Sequence, residues 1–304
     1  MSKKSIVAKK SKKAAGKSTS PAKPKAASKM SPKAAYSIAT SPKKTVRERV
    51  AAMSLVPMAA TESEEKPQAV MNLVRNTSEP VKVRLAALQS LAAASFSAEG
   101  FDSWRGDYIA TLRSVAEDPD PELRQRALGL LAREQDGFAQ KKLIEGLQHP
   151  EKALLPPEKA LQLLSYDVHA EAYAVARDIV EKPPNPDAKQ EALRLLAADA
   201  KAAPLFEKLL RDKDETREIR QISASALQTL KPEKLQEHAR EMLLDKSEYD
   251  DIQATSLTAI NQFGDEESIA KDKTLLKSVD RVSDSKAPAK YKQSARRFLT
   301  KYTK

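Results

Sequence analysis

From residue 46 onward, apolar positions recur at helical spacing, and one short pattern returns seven times. It is a small residue, a leucine, two variable positions and a second large apolar residue. The copies are Ala87-Leu88…Leu91, Ala127-Leu128…Leu131, Ala160-Leu161…Leu164, Ala192-Leu193…Leu196 and Ala226-Leu227…Leu230. Weaker forms follow at Ser256-Leu257…Ile260 and Ser294-Ala295…Phe298. Successive copies lie 30 to 40 residues apart. A period of this size signals stacked repeats, each leaving its apolar face for a neighbour to cover. Arg49-Val50-Ala51-Ala52-Met53…Val56 matches Arg84-Leu85-Ala86-Ala87-Leu88…Leu91 and reads as a half repeat that starts the stack.

Each full unit reads as two helices around a short turn. Between Trp104 and Arg133, Tyr108, Ile109, Leu112, Val115 and Ala116 form the apolar stripe of a first helix. Glu117-Asp118-Pro119-Asp120-Pro121 stops it: the aspartates suit a cap, and Pro121 suits the first turn of the next helix. Leu123, Ala127, Leu128, Leu130 and Leu131 form the stripe of the second. Ser78-Glu79-Pro80, Leu155-Pro156-Pro157, Pro183-Pro184-Asn185-Pro186-Asp187 and Ala287-Pro288 punctuate other units in the same way. The small residue of the pattern lets neighbouring helices approach closely.

Composition agrees. Aromatics make up 5% of the chain and glycines number 7, too few for the side chains strands favour and the turns hairpins require. The expected fold is all-α: a right-handed superhelical solenoid of about seven helix pairs over residues 46–304, preceded by a disordered basic tail over residues 1–45. No Cys is present, which excludes disulfides, thiolate metal sites and a cysteine nucleophile. No apolar run is long enough to span a membrane, and the N-terminus lacks the apolar core of a secretory signal. A cytoplasmic protein is expected.

The turn-plus-helix pattern resembles the HEAT repeat family. The resemblance rests on Asp118-Pro119-Asp120-Pro121-Glu122-Leu123-Arg124 followed by Ala127-Leu128. Its echoes are Pro80-Val81-Lys82-Val83-Arg84 with Ala87-Leu88, and Thr216-Arg217-Glu218-Ile219-Arg220 with Ala226-Leu227. The resemblance implies a ladder between repeats, in which an Asp and an Arg of the turn pair. Arg84, Asp118, Arg124 and Arg220 are the candidates. Lys189, Gln253 and Lys292 stand near the corresponding places in other units and interrupt it. HEAT-like stacks are mainly protein-binding scaffolds, so a protein partner on the stack surface is the implied function.

Charge changes the picture. Residues 1–45 hold thirteen Lys and no Asp or Glu, and residues 286–304 hold five Lys and two Arg without an acid. The formal net charge is +11, so residues 46–285 carry 11 − 13 − 7 = −9. An acidic middle lies between two basic ends, which assigns polyanion binding to the ends. The candidate phosphate-binding residues are Lys3, Lys4, Lys9, Lys10, Lys12, Lys13, Lys17, Lys23, Lys25, Lys29, Lys33, Lys43 and Lys44. The Lys/Ala/Ser/Pro composition resembles linker-histone tails, and Ser41-Pro42-Lys43-Lys44 resembles their minor-groove SPKK turn. That resemblance implies non-specific DNA binding by counterion release and a nucleoid-associated or, in a eukaryote, nuclear location. RNA, polyphosphate or an anionic membrane surface would meet the same lysines, and a purely solubilising tail is the alternative.

Enzymatic motifs are scarce. There is no GxGxxG, GxxxxGK[ST] or GxSxG, and His149, His169 and His238 form no HExxH. Asp118-x-Asp120-x-Glu122 lacks the glycine a calcium loop needs for its sharp turn, has proline at both alternate positions, and reads as a helix-turn. Asp167, His169 and Glu171 read as a helix start. Trp104 reads as core. Two enzyme classes use HEAT-like scaffolds. The deoxyhypusine hydroxylase type needs His-Glu ligand pairs, and the chain has no His-Glu dipeptide. The phycobilin lyase type stays open as an alternative. No cofactor, metal or small-molecule ligand is expected.

Overall fold

The computed structural model describes residues 30–56, 65–97, 100–167, 170–283 and 285–303. Among these residues there are seventeen α-helices and no strand. The chain divides into two compact units, Met1–Pro57 and Met58–Lys304.

The first unit holds one helix pair, α1 (Pro32–Thr40) and α2 (Val46–Met53). α1 corrects the expected boundary, because it lies inside the stretch read as tail. Ser31 caps it by accepting a hydrogen bond from the Ala34 N–H, and Pro32 opens its first turn. Its interior is alanine-rich, and Ala35 and Ala39 are fully buried. Ala52 and Met53 of α2 are buried as well. Thr45 and Glu48 form a reciprocal capping box at the start of α2. Arg49 Nε donates to the Ala39 carbonyl at 3.1 Å, which ties α2 to the end of α1. The half repeat is therefore a whole pair. Its first helix is written in the Lys/Ala/Ser/Pro alphabet of the tail.

The second unit stacks seven pairs. They are α3 (Glu65–Arg75) with α4 (Val81–Ser97), α5 (Arg105–Val115) with α6 (Pro121–Arg133), and α7 (Gly137–Gln148) with α8 (Pro157–Leu164). α9 (Ala170–Glu181) pairs with α10 (Pro186–Leu196), α11 (Ala203–Arg211) with α12 (Arg217–Leu230), and α13 (Pro232–Leu244) with α14 (Asp250–Phe263). In the last pair α16 (Lys273–Ser283), preceded by the short α15 (Glu266–Lys271), packs on α17 (Ala289–Tyr302).

The second helices form a continuous row, each lying on the next from α4 to α17. The recurrent pattern supplies the contact. Ala87, Ala127, Ala160, Ala192, Ala226 and Ser256 are buried, and so are Leu88, Leu128, Leu161, Leu193, Leu227 and Leu257; in the last copy Ser294 is half-buried and Ala295, in the leucine position, is buried. The small side chains let the backbones come close, and the leucines fill the space between rows. The closing large position is buried in most copies, but Leu230 is only half-buried.

Turn chemistry follows the reading of the punctuation. Asp120, Asn185 and Thr216 each accept from the backbone N–H three residues on, capping α6, α10 and α12. α6 ends in a Schellman motif: Gln135 takes φ 55°, and the Asp136 N–H reaches the Leu131 carbonyl at 3.0 Å. At Gly146 a Cβ would lie 2.9 Å from Ala153 Cα, so glycine lets α7 approach the turn that follows it.

At the C-terminus Tyr291, Ala295, Phe298 and Tyr302 of α17 pack with Leu257, Ile260, Leu275 and Val279. Lys290, Arg296, Arg297 and Lys301 of the same helix are exposed. No helix among the described residues is long and apolar enough to cross a membrane.

Leu128 and Leu193 are fully buried between rows. Leu128→Ala or Leu193→Ala is expected to cost roughly 2–5 kcal/mol in denaturant unfolding. Gln125→Ala, at an exposed site on the same helix as Leu128, is expected to stay within about 0.5 kcal/mol. Equal effects at the two kinds of site would show the faces to be misassigned.

Candidate functional site

Two lines of ionic contacts join successive repeats of the stack. The first joins second helices to the turn of the following unit. Arg84 Nε donates to the Val74 carbonyl at 2.9 Å, ten residues back. Its Nη1 and Nη2 reach Asp118 at 3.3 and 2.5 Å. Arg220 repeats the arrangement: Nε to the Leu210 carbonyl at 2.9 Å, Nη1 and Nη2 to Glu248 at 2.8 and 2.6 Å. All four side chains are buried. Burial alone would raise the Glu248 carboxyl, but hydrogen bonds from Arg220 and Lys213 outweigh it and hold the group below the usual carboxylate range.

Arg124 departs from the expected ladder. It has no carboxylate partner among the described residues and donates to the Leu154 carbonyl at 2.7 Å and the Asp118 carbonyl at 2.7 Å. The reason is local: the turn it faces, Leu154-Leu155-Pro156-Pro157, carries no acid. Lys189 keeps the ionic form with Glu215 at 2.6 Å, whereas Gln253 donates to the Met242 and Asp245 carbonyls at 3.2 and 2.8 Å.

The second line was not visible in the motifs. A basic residue of one first helix reaches the aspartate that begins a later first helix. Arg113 meets Asp136 at 2.6 Å, Arg177 meets Asp199, and Arg240 meets Asp272 at 2.5 Å. The same aspartates cap their own helices, accepting from the N–H groups of Ala139, Lys201 and Leu275. Each carboxylate thus receives both a cation and a helix N-terminus. The hydrogen bond from Arg240, ahead of the opposing effect of burial, lowers the Asp272 carboxyl. The sequence signal was a cation near the end of one helix and an Asp cap 22 to 32 residues on.

The other polar candidates are also committed. Asp118 is held by Arg84, Asp120 caps α6 and Glu122 pairs with Arg126 at 2.8 Å, which leaves no calcium loop. Asp167 accepts from Gln140 at 2.8 Å, and His169 lies outside the described residues. Glu207 and His238, from α11 and α13, meet at 2.7 Å beside Glu237, which pairs with Lys234 at 2.8 Å. The two pairs account for that cluster. Trp104 is buried edge-on against Phe101 at the start of α5, a core role.

Of the tail lysines, Lys3, Lys4, Lys9, Lys10, Lys12, Lys13, Lys17, Lys23, Lys25 and Lys29 lie outside the described residues. Lys33 is exposed on α1. Ser41-Pro42-Lys43-Lys44 is the turn between α1 and α2, closed by a hydrogen bond from the Lys44 N–H to the Ser41 carbonyl at 3.2 Å. Lys43 and Lys44 are exposed, with Lys44 3.9 Å from Glu48.

The surface of the second unit carries several grooves, of which two have apolar walls. One, of about 750 Å³, lies beside Arg124 and is lined by Leu147, Leu154, Leu155, Val175 and Ile179. The other, of about 700 Å³, lies between the α13–α14 turn and α16.

Removing one member of a buried ion pair strands the other. Glu248→Gln is therefore expected to cost roughly 3–5 kcal/mol at neutral pH. The native carboxyl is depressed, so its contribution is complete above the unfolded value, about 4.3. It is lost as pH falls through the folded value. Unfolding of the native chain and the variant across a pH series should converge in acid, and a constant gap would exclude this origin.

No protein-family model matches the sequence, and no curated protein sequence matches it. Among solved structures, the complex of CpcE and CpcF of phycocyanin lyase from Nostoc sp. PCC7120 is similar at 14% identity and a TM-score of 0.40, over 88% of this chain and 98% of that one. Human deoxyhypusine hydroxylase in complex with glycerol is similar at 15% identity and a TM-score of 0.34, over 79% of this chain and 96% of that one. Likeness at this level says nothing about activity, and function is argued from the chain's own residues.

Proposed function

We propose that this protein is a non-catalytic binding protein. In this reading the stacked helix pairs present a surface to a protein partner, and the lysine-rich N-terminal segment holds the sugar–phosphate backbone of DNA. The observation that carries it is the segregation of charge. Residues 1–45 hold thirteen lysines and no acid, whereas many cations of the stack are bound to carboxylates of neighbouring repeats. Lys33 and Lys43 are exposed and have no ion-pair partner among the described residues. Lysines in this state neutralise phosphates without reading base sequence.

The titrating groups support binding over acid–base chemistry. Every displaced pKa among the described residues moves away from neutrality. Burial pushes the Tyr108 hydroxyl up to about 12. The partners of Asp245, Asp272 and Glu248 hold those carboxyls down, and Lys142 and Lys234 are raised by the hydrogen bonds they donate to Glu117 and Glu237. A general acid or base working near neutral pH needs the opposite displacement.

The test is fluorescence anisotropy of a duplex of unrelated sequence with the full chain across a salt series. About six phosphate contacts would lower affinity roughly a thousand-fold between 50 and 200 mM salt. Replacing Lys9, Lys10, Lys12 and Lys13 with Gln should flatten the salt slope by about three to four units. Substitution is the right probe, because truncation at residue 45 would delete α1 and uncover Ala52 and Met53. No binding by the native chain in low salt would leave the protein-scaffold reading alone.

A further inference from the structure

The groove between α13–α14 and α16 differs from the rest of the stack in one respect. Four cations border it, Lys246, Lys273, Lys277 and Arg281. All four are exposed, and none has an ion-pair partner among the described residues. Lys213, in the turn before α12, Arg220 on α12 and Arg240 on α13 are all paired. Of the two acids lining the groove, Glu248 is taken by Arg220 and Lys213, and Asp250 stands in the first turn of α14. Positive charge is therefore left over at this place.

Its arrangement is linear. Lys273, Lys277 and Arg281 follow one another at four-residue steps on α16, about 6 Å apart along the helix axis. Alternate side chains of an extended chain are spaced by about 6.6 Å. Acidic residues at every second position of a strand would match this row. The intervening side chains would face the other wall, where Leu243 and Leu244 lie, and Val282 and Ala287 add apolar surface. The groove's volume, about 700 Å³, suits a short peptide segment. A duplex, by contrast, is wide and convex, with one charge per 3.4 Å along each strand. It would touch the rim and leave the apolar wall unused.

We propose that this groove binds an extended acidic peptide of a partner protein. Alternate Asp or Glu side chains lie on Lys273, Lys277 and Arg281, and the apolar side chains between them lie against Leu243 and Leu244. The proposal rests on reading the stack as a protein-binding surface, and it names where and by what chemistry that surface works. The groove is built from residues of the second unit, whereas the N-terminal lysines belong to the first.

The probe is a fluorescein-labelled peptide of alternating Asp and Leu, with an alternating Asn and Leu peptide as control, measured by anisotropy with the full chain in low salt. The native chain should bind the acidic peptide and not the control. The triple variant Lys273→Glu, Lys277→Glu, Arg281→Glu should lose roughly ten- to hundred-fold in affinity. The variant with Gln at Lys9, Lys10, Lys12 and Lys13 should bind the peptide as the native chain does. The three α16 sites are exposed, so helix content and thermal midpoint should be kept; a milder triple change to Gln, with a smaller loss, covers the case where charge reversal disturbs folding. Equal peptide binding by native and triple-Glu chains overturns the proposal. So does a duplex whose affinity falls more in the α16 variant than in the tail variant, which would make the groove a nucleic-acid site. A native chain that ignores the peptide yet binds duplex through its tail sinks the groove proposal and leaves the DNA tether standing.

Discussion

Leu88, Leu128, Leu161, Leu193, Leu227 and Leu257 are dry because a neighbouring helix covers them, and this dependence governs the molecule. In the second unit each pair leaves part of its apolar face for the next pair to cover. Each second helix must lie on the next, and a small residue at the preceding position is what lets it lie close. α17 turns an apolar stripe of Tyr291, Ala295, Phe298 and Tyr302 toward its neighbours and most of its cations outward.

Polar rungs complete the stack and fix its register. Packing leucine on leucine tolerates sliding, whereas a guanidinium that must meet both a carbonyl and a carboxylate does not. Arg84 and Arg220 satisfy the end of their own first helix with Nε and the following repeat with Nη1 and Nη2. Taking such pairs out of water consumes most of their Coulombic gain. Their contribution is alignment, with a large penalty for losing either partner. Where no acid faces the position, as at Arg124, backbone carbonyls take its place, and the turn beside it opens into an apolar groove.

The same accounting separates structural charge from charge left for binding. A cation already bound to a carboxylate gains little from a second anion. Those without such a partner among the described residues, such as Lys273, Lys277 and Arg281 on α16 and Lys33 and Lys43 in the first unit, lose mainly counterions when an anion arrives. The two places differ in geometry. The tail lysines sit in sequence rich in Pro, Ala and Ser, suited to following a phosphate backbone. The α16 cations are set at fixed steps above an apolar wall, which suits a chain of alternating character.

The repeat, the helix pairs, their proline-punctuated turns and the all-α class were legible in the sequence. They follow from local rules: a 3.6-residue period, capping side chains and the restriction that proline places on its neighbours. Arg84 and Arg220 could be picked out for the same reason, since they recur at one place in the unit. Composition misled at α1, because Ala35 and Ala39 count as core only when another helix covers them, and Lys/Ala/Ser/Pro sequence reads alike in a tail and in a small-residue helix. The Arg113–Asp136, Arg177–Asp199 and Arg240–Asp272 rungs, the meeting of Glu207 with His238 and the α16 groove were set by tertiary structure. Each joins residues more than twenty positions apart, and only the way one repeat is laid on the next decides which side chains meet and which charges stay unpaired.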